Sequence, residues 1–383
     1  MRHRRSFAFT TLLVFACTSI AWAQKGPTIT TFDAPGAGTS PGQGTIALAI
    51  NLEGEITGYY TDGGNLAHGF VRSPDGKILA INAPGATQGT FPAAINFAGK
   101  ITGYYIDDNS VAHGFVRRFD GSVVPFDADG AGTGQFEGTF PNDIGVDGSI
   151  VGYYLDASLG MHGFLRNPDG TLVTLDDPSA GTGAFLGTFA TAIDPEGTIV
   201  GCYLDSSVLG WTFQRSRSGA YTTLTPPGGI GGYVGCGSTV FSVLPFNTTA
   251  INPVGVIAGT YFEPVADNLF GGNYRGFARV FKFESFWQPP SVDYITFDAV
   301  PSPSSPCCTW TFPVAINLAG QVVGYDNDFN GEDHGFLRDP QGEIEVFDVP
   351  GAQGTVATSV NLFGVIAGYY GSGGVSHGFV RIP

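Results

Sequence analysis

Histidine followed by Gly-Phe-(Val or Leu)-Arg occurs five times, at His68, His113, His162, His334 and His377. A single histidine near carboxylates is a general base or a metal ligand in waiting. Five copies in one slot argue for a lattice instead, because such chemistry needs the group once, and a Ser-His-Asp hydrolase needs a histidine outside the lattice. Fourteen positions after four of them stands a short amide or acid: Asn82, Asp127, Asp176 and Asp348. Where the slot holds Trp211 the partner position holds Thr225, so both members change together. A hairpin centred between the members sets each pair across two strands within hydrogen-bond reach, and His377 is expected to find Asp33 across the two ends of the chain.

Other residue groups invite chemistry and have plainer readings. An arginine follows each motif phenylalanine by two residues, at Arg72, Arg117, Arg166, Arg215, Arg279, Arg338 and Arg381. These are expected to lay aliphatic stems over sheet edges and pair with nearby carboxylates, a ring of anion-binding guanidinium groups being the alternative. The run Asp326, Asp328, Asn330 before Gly331 spaces oxygen ligands as a calcium loop does, but the closing positions hold His334 and Leu337 rather than a carboxylate. A plain Asx-stabilised turn is the competing reading. The glycines of Gly130-Ala-Gly132-Thr-Gly134 follow one strand and precede another, with no helix to hold a phosphate, and read as linkers.

Seven repeats must position these groups. Aligned on the strand typified by Ile-Thr-Gly-Tyr-Tyr, the key glycines are Gly58, Gly103, Gly152, Gly201, Gly259, Gly324 and Gly368. Spacings of 44 to 65 residues with four strand-like runs per unit, and no 3.6-residue apolar period, predict an all-β, seven-bladed propeller of four-stranded antiparallel blades. In unit two the strands are expected at 90–96, 100–106, 111–117 and 122–127, with Asn96-x-x-Gly99 and Asp120-Gly121 as turns. The last unit ends on its third strand, while a lone outer-strand sequence lies near 28–35. The amino end is therefore expected to complete the last blade and hide its edge.

Residues 1–23 read as a signal peptide: Arg2, Arg4 and Arg5, an apolar run from Phe7 to Ala21, and Ala21-Trp22-Ala23 as cleavage site. Arg4-Arg5-Ser6-Phe7 also loosely matches a twin-arginine signal. One domain over 24–383 is expected, exported to the periplasm or medium. No later run is long and apolar enough for a membrane helix. The formal charge of −16 becomes more negative when the leader goes, which disfavours nucleic acid and anionic lipid as partners. Cys202, Cys236, Cys307 and Cys308 remain, free to pair in three ways, with no zinc-like spacing.

The phrases Ile-Asn-x-x-Gly, Val-x-Gly-Tyr and His-Gly-Phe-Leu-Arg resemble the bacterial extracellular repeat family named for its His-Ala-Phe motif, with Gly for the middle Ala. The resemblance spans essentially the whole chain after the leader. It implies an exported propeller without assigned chemistry and transfers no catalytic residue.

Departures from the repeat place a candidate site. Expansions at Pro226 to Pro245, Pro264 to Tyr274 and Pro301 to Trp310 fall on one face around unit five, and that at Val280 to Val292 on the other. Tyr233, Phe270, Tyr274, Trp310, Glu263 and Asp267 are the expected ligand-binding residues. The leading expectation is a monomeric, non-enzymatic binding or interaction propeller without a cofactor, whose partner is an extracellular glycan or a protein. The alternative is a polysaccharide hydrolase or lyase drawing paired carboxylates from Glu263, Asp267 and Glu137. A purely architectural envelope protein is the third reading.

Overall fold

The computed structural model describes residues 26–230, 249–265, 268–282, 291–299, 310–328 and 330–383, and the side chains of 265–271 fall outside the description. Every regular element among the described residues is a β-strand. Each repeat unit folds as an antiparallel meander of four. Unit two runs Gly89–Ile95, Ile101–Ile106, Ala112–Arg117 and Val123–Phe126, within a residue or two of the expected bounds.

The local sequence dictates this form. Asn96 accepts the Lys100 amide through its side chain at 3.1 Å, and Gly99 turns the chain with φ 71°. The first strand then bulges at Pro92/Ala94, which swings the Phe91 carbonyl toward the second strand. A Cβ on Gly103 would sit 2.2 Å from that oxygen, so the glycine of Gly-Tyr-Tyr is required by the bulge facing it. The motif phenylalanines Phe70, Phe115, Phe164, Phe213, Phe277, Phe336 and Phe379 are the largest fully buried side chains among the described residues. Each contributes roughly 2–3 kcal/mol of burial, enough in sum to make the third strand the anchor of its unit.

Consecutive meanders pack face to face. Single parallel bridges, such as Ala112↔Gly138 and Met161↔Gly187, join the third strand of one unit to the first strand of the next. The Asn-x-x-Gly turns are also laced together. Asn51 donates to the Asn96 carbonyl (3.3 Å), Asn96 to that of Gly145 (3.0 Å), Asn252 to Asn317 (3.0 Å), Asn317 to Asn361 (2.9 Å) and Asn361 back to Asn51 (3.3 Å). At the amino end Thr28–Phe32 pairs with Val375–Ile382 as the fourth strand of the last meander. First strands of all seven units line one cavity of about 250 Å³, walled by Leu48, Ala94, Thr191, Ala250, Ala315 and Val360 among others. The fold is all-β and β-propeller-like.

The arginines depart from expectation. Arg72 lies 4.8 Å over Phe32, Arg166 4.9 Å over Phe126, Arg338 5.0 Å over Phe297 and Arg381 4.9 Å over Phe347. Each ring belongs to the fourth strand of the preceding unit, so the guanidinium staples neighbours by a cation–π contact rather than by an ion pair. Where that strand offers Leu175 or Leu224 instead, Arg215 and Arg279 turn to Tyr221 and Phe281 of their own sheets. Among the described residues Arg381 alone of the seven pairs with a carboxylate, that of Glu345. Burial pushes Arg72, Arg166 and Arg338 below the usual guanidinium range, and the Nε atoms of Arg72 and Arg338 have no hydrogen-bond partner.

Candidate functional site

Cross-strand register fixes the histidine slot. His68 stands opposite Tyr60 and stacks on it at 5.1 Å, with the same geometry at Tyr105–His113, Tyr154–His162 and Tyr370–His377. The Nδ1 atom reaches the residue 14 positions on: Asn82 (2.8 Å), Asp127 (2.9 Å), Asp176 (3.0 Å) and Asp348 (2.9 Å), while His377 meets Asp33 (2.9 Å). A second acid, which the sequence reading missed, faces Nε2: Asp62 at 3.2 Å, Asp107 at 3.6 Å, Asp156 at 3.4 Å and Asp328 at 3.9 Å. These carboxylates cap their own turns by accepting backbone amides. The Leu66 amide, with His68, holds Asp62 below the usual carboxylate range. The missed signal was an acid four residues after the key glycine in six of seven units.

Units four and five fill the same slot with other donors. Trp211 Nε1 donates to Asp205 at 2.9 Å, so the indole replaces the Nε2 side of the histidine rather than finding a new partner in Thr225. In unit five Arg275 takes the slot, donating to Glu263 at 2.8 Å and Asp298 at 2.9 Å. Those two acids push the guanidinium further above its ordinary range, against the effect of burial. Glu263 is thereby a member of the lattice, not the free carboxylate the sequence suggested. Glu137 accepts the Gly134 amide at 2.6 Å within its own loop.

His334 carries a raised pKa. Burial opposes its charged form, but the hydrogen bond and charge of Asp348, with Asp328 and Glu332, outweigh that. The pair's contribution is full below the unfolded value of 6.5 and is lost as pH rises through the higher folded value. His334→Ala is therefore expected to cost more stability at about pH 5 than at about pH 8, read by urea unfolding at both. Equal costs would show that the imidazole acts only by packing.

Around unit five the expansions are partly ribbon. The segment Pro264 to Tyr274 lengthens a hairpin, with strands Ile257–Val265 and Asn268–Lys282 paired through Phe262↔Tyr274 and Glu263↔Asn273. Tyr274 is buried, edge-on to Trp310 at 6.1 Å and stacked with Phe312 at 6.2 Å, so it backs Trp310. Trp310 is 43% exposed. A narrow cleft beside this stack is lined by Trp211, Thr225, Pro226, Ile230 and Tyr274. Phe270 lies on the long strand; its side chain, with Tyr233 and Asp267, falls outside the described residues, as do Cys236, Cys307 and Cys308. Cys202 is disulfide-bonded, to a partner outside them.

Directly after the key glycine stand Tyr59, Tyr104, Tyr153, Tyr325 and Tyr369. Burial pushes all five phenols up, Tyr104 to about 12, and each of the others feels a neighbouring phenol or Asp333 as well. Tyr325 and Tyr369 line the central cavity. Cys202 and Thr260 occupy the same position in units four and five. Asp143, also in the cavity wall, is raised by burial and accepts amides of Ile144 (2.8 Å) and Ile193 (2.9 Å), clamping units three and four.

The calcium-like run divides its oxygens. Asp326 is 2% exposed and accepts the Thr311 hydroxyl at 2.6 Å. Asp328 accepts the amides of Asn330 (2.8 Å) and Glu332 (2.9 Å), the geometry of an Asx turn. Among the described residues, Asp328, Glu332 and His334 are close enough to share an ion, a different set from Asp326, Asp328 and Asn330.

No protein-family model matches the chain, and no curated protein does. Puromycin hydrolase superposes with a TM-score of 0.51 at 14% identity, over 88% of this chain and 50% of that one. A mutant of puromycin hydrolase complexed with PGG gives 0.52 at 13%, over 86% and 50%. The chain thus spans half the length of the puromycin hydrolase chains. Streptogramin B lyase gives 0.49 at 10%, over 92% and 97%. At such identities the likeness to puromycin hydrolase is one of fold.

Proposed function

We propose that this is an exported, non-enzymatic binding protein, a ring of seven blades of the His-Ala-Phe repeat type, that takes an extended glycan or a protein ligand beside unit five. The observation that carries the site is Trp310, 43% exposed over a buried stack of Tyr274 and Phe312. A rigidly backed indole next to a cleft is a stacking platform for a sugar face or an aromatic side chain. The ring reading is supported by the Asn361 to Asn51 hydrogen bond and the Gly44↔Ser376 bridge, which join the last unit to the first. Export is supported by the leader sequence and by the disulfide at Cys202, which fits an oxidising compartment. The hydrolase reading is weakened because Glu263 is held by Arg275.

The test is an array of soluble polysaccharides probed with residues 24–383, recording retention and release of reducing ends. Retention without release, reduced about tenfold or more by Trp310→Ala, is the expected result. Release of reducing ends would overturn the non-enzymatic reading, and retention indifferent to Trp310→Ala would move the site elsewhere. No retention on any glycan would leave the protein-ligand branch alone, to be tested against surface proteins of the source cell.

A further inference from the structure

The central cavity meets a group of polar atoms that the binding reading does not use. Tyr59, Tyr104, Tyr153, Tyr325 and Tyr369 follow the key glycines of units one, two, three, six and seven. Their rings are wedged between consecutive first strands: Tyr104 stacks on Phe91 of its own unit at 5.0 Å and meets Phe140 of the next edge-on at 5.1 Å. Tyr153 stacks on Phe140 at 5.0 Å, Tyr59 meets Phe91 at 5.2 Å and Tyr325 lies 5.0 Å from Phe312. The five form one arc, since Tyr104 and Tyr369 act electrostatically on Tyr59, Tyr104 on Tyr153, and Tyr369 on Tyr325. Tyr325 and Tyr369 reach the cavity wall. Among the described residues none of the five hydroxyls has a hydrogen-bond partner, although Tyr59 is 4% and Tyr325 8% exposed. The next tyrosines along the second strands differ, Tyr154 and Tyr203 reaching Thr174 (3.4 Å) and Thr223 (3.2 Å).

Folding does not require these hydroxyls. A buried hydroxyl without a partner loses its hydration and gains nothing in return, and phenylalanine would keep the same ring contacts. The first strands carry Phe91, Phe140 and Phe312 directly opposite Tyr104, Tyr153 and Tyr325, so the packing accepts an unsubstituted ring at this level. Burial pushes all five phenols up, so they stay protonated and offer donors as well as lone pairs. Thr191 and Thr358, also in the wall, already donate to main-chain carbonyls. A cavity of apolar walls with a few convergent polar groups is a small-molecule site.

Size and charge decide the occupant. At about 250 Å³ the cavity is smaller than the roughly 300–1,000 Å³ of drug-sized pockets, so it takes one small ring rather than a chain. An anion would meet Asp333, whose charge already acts on Tyr325 and Tyr369. A cation would need a carboxylate, and that of Asp143, the one acid among the described lining residues, has both oxygens committed to the Ile144 and Ile193 amides. We propose that the central cavity binds a small neutral polyol of monosaccharide size, its hydroxyl groups paired with the phenol arc and its carbon skeleton resting on Leu48, Ala94, Ala315 and Val360. This site stands apart from the Trp310 platform and does not rest on it.

The experiment titrates residues 24–383 with glucose, galactose, mannose, xylose and inositol, and with glucuronate and glucosamine as charged counterparts, read by saturation-transfer NMR. At least one neutral probe is expected to bind, and more tightly than either charged one. Tyr325→Phe/Tyr369→Phe keeps both rings and is expected to weaken binding about tenfold or more. Ala93→Leu copies Leu48 of unit one into the equivalent wall position of unit two and is expected to abolish binding by filling space. Thermal melts confirm that the variants fold, and the phenylalanine pair decides alone if Ala93→Leu does not. Failure of every neutral probe to bind would overturn the proposal and leave the arc to water. So would tighter binding of a charged probe, or binding that the phenylalanine pair leaves intact. Binding lost in Trp310→Ala but kept in the phenylalanine pair would overturn it too, giving the sugar to the platform beside unit five. The polysaccharide array reads Trp310 and not the phenols, so the two readings fail separately.

Discussion

A chain lacking residues 26–35 is expected to lose its cooperative unfolding transition and to aggregate on concentration. The missing strand does more than fill an edge. It pairs along Val375–Ile382, carries the ring of Phe32 under Arg72, supplies Asp33 to His377, and donates the buried Ala34 amide to Thr45 at 2.9 Å. Phe32 also meets Phe70 edge-on at 6.1 Å, so the segment binds unit seven to unit one. Losing these contacts together removes a large part of the roughly 5–15 kcal/mol that a domain has in hand, and bares the unpaired edge of the last strand. Moving the segment to follow Pro383 through a short turn is expected to restore the transition, because the last strand ends where the added one must begin. Thermal melts and size-exclusion chromatography of the three chains make the comparison. A truncated chain that melts like the full one would show that the closing strand is dispensable.

Gly201→Ala is expected to destabilise strongly although it adds a single methyl group. A Cβ there would lie 1.9 Å from the Phe189 carbonyl, a backbone atom that cannot step aside without undoing the bulge at Ala190/Ala192. Overpacking of this kind costs about 1–3 kcal/mol where the core can adjust, and more where, as here, the obstacle is main chain. Gly371→Ala provides the contrast: it lies in a strand of the same class, at ordinary φ, with nothing within 4 Å of the added carbon. It is expected to change stability by no more than about 0.5 kcal/mol. Urea unfolding of both variants tests the pair, and equal effects would remove the bulge as the reason for the glycine.

What the sequence revealed was local. Strand order, turn residues and the spacing of His68 to Asn82 all arise within one meander, where a period of two and a tight turn leave a mark in consecutive residues. Contacts between units left none. The ring under Arg166 is Phe126, a whole meander away, and no spacing rule within one repeat exposes it. Glu263 was hidden for another reason: a lengthened hairpin puts Arg275 12 positions after it where the other units use six, so counting along the chain separated two residues that the register brings together. The burial of Tyr274 against Trp310 was hidden in the same way, because it follows from the extended ribbon and not from the repeat.

The join between the chain's two ends falls inside a meander, at the third and fourth strands of unit seven, and each boundary between units is bridged by continuous chain. Loss or duplication of a repeat in the gene, cut at equivalent points in two units, would therefore leave the join intact and change only the copy number. The pairing of Thr28–Phe32 with Val375–Ile382 is thus independent of how many repeats lie between them.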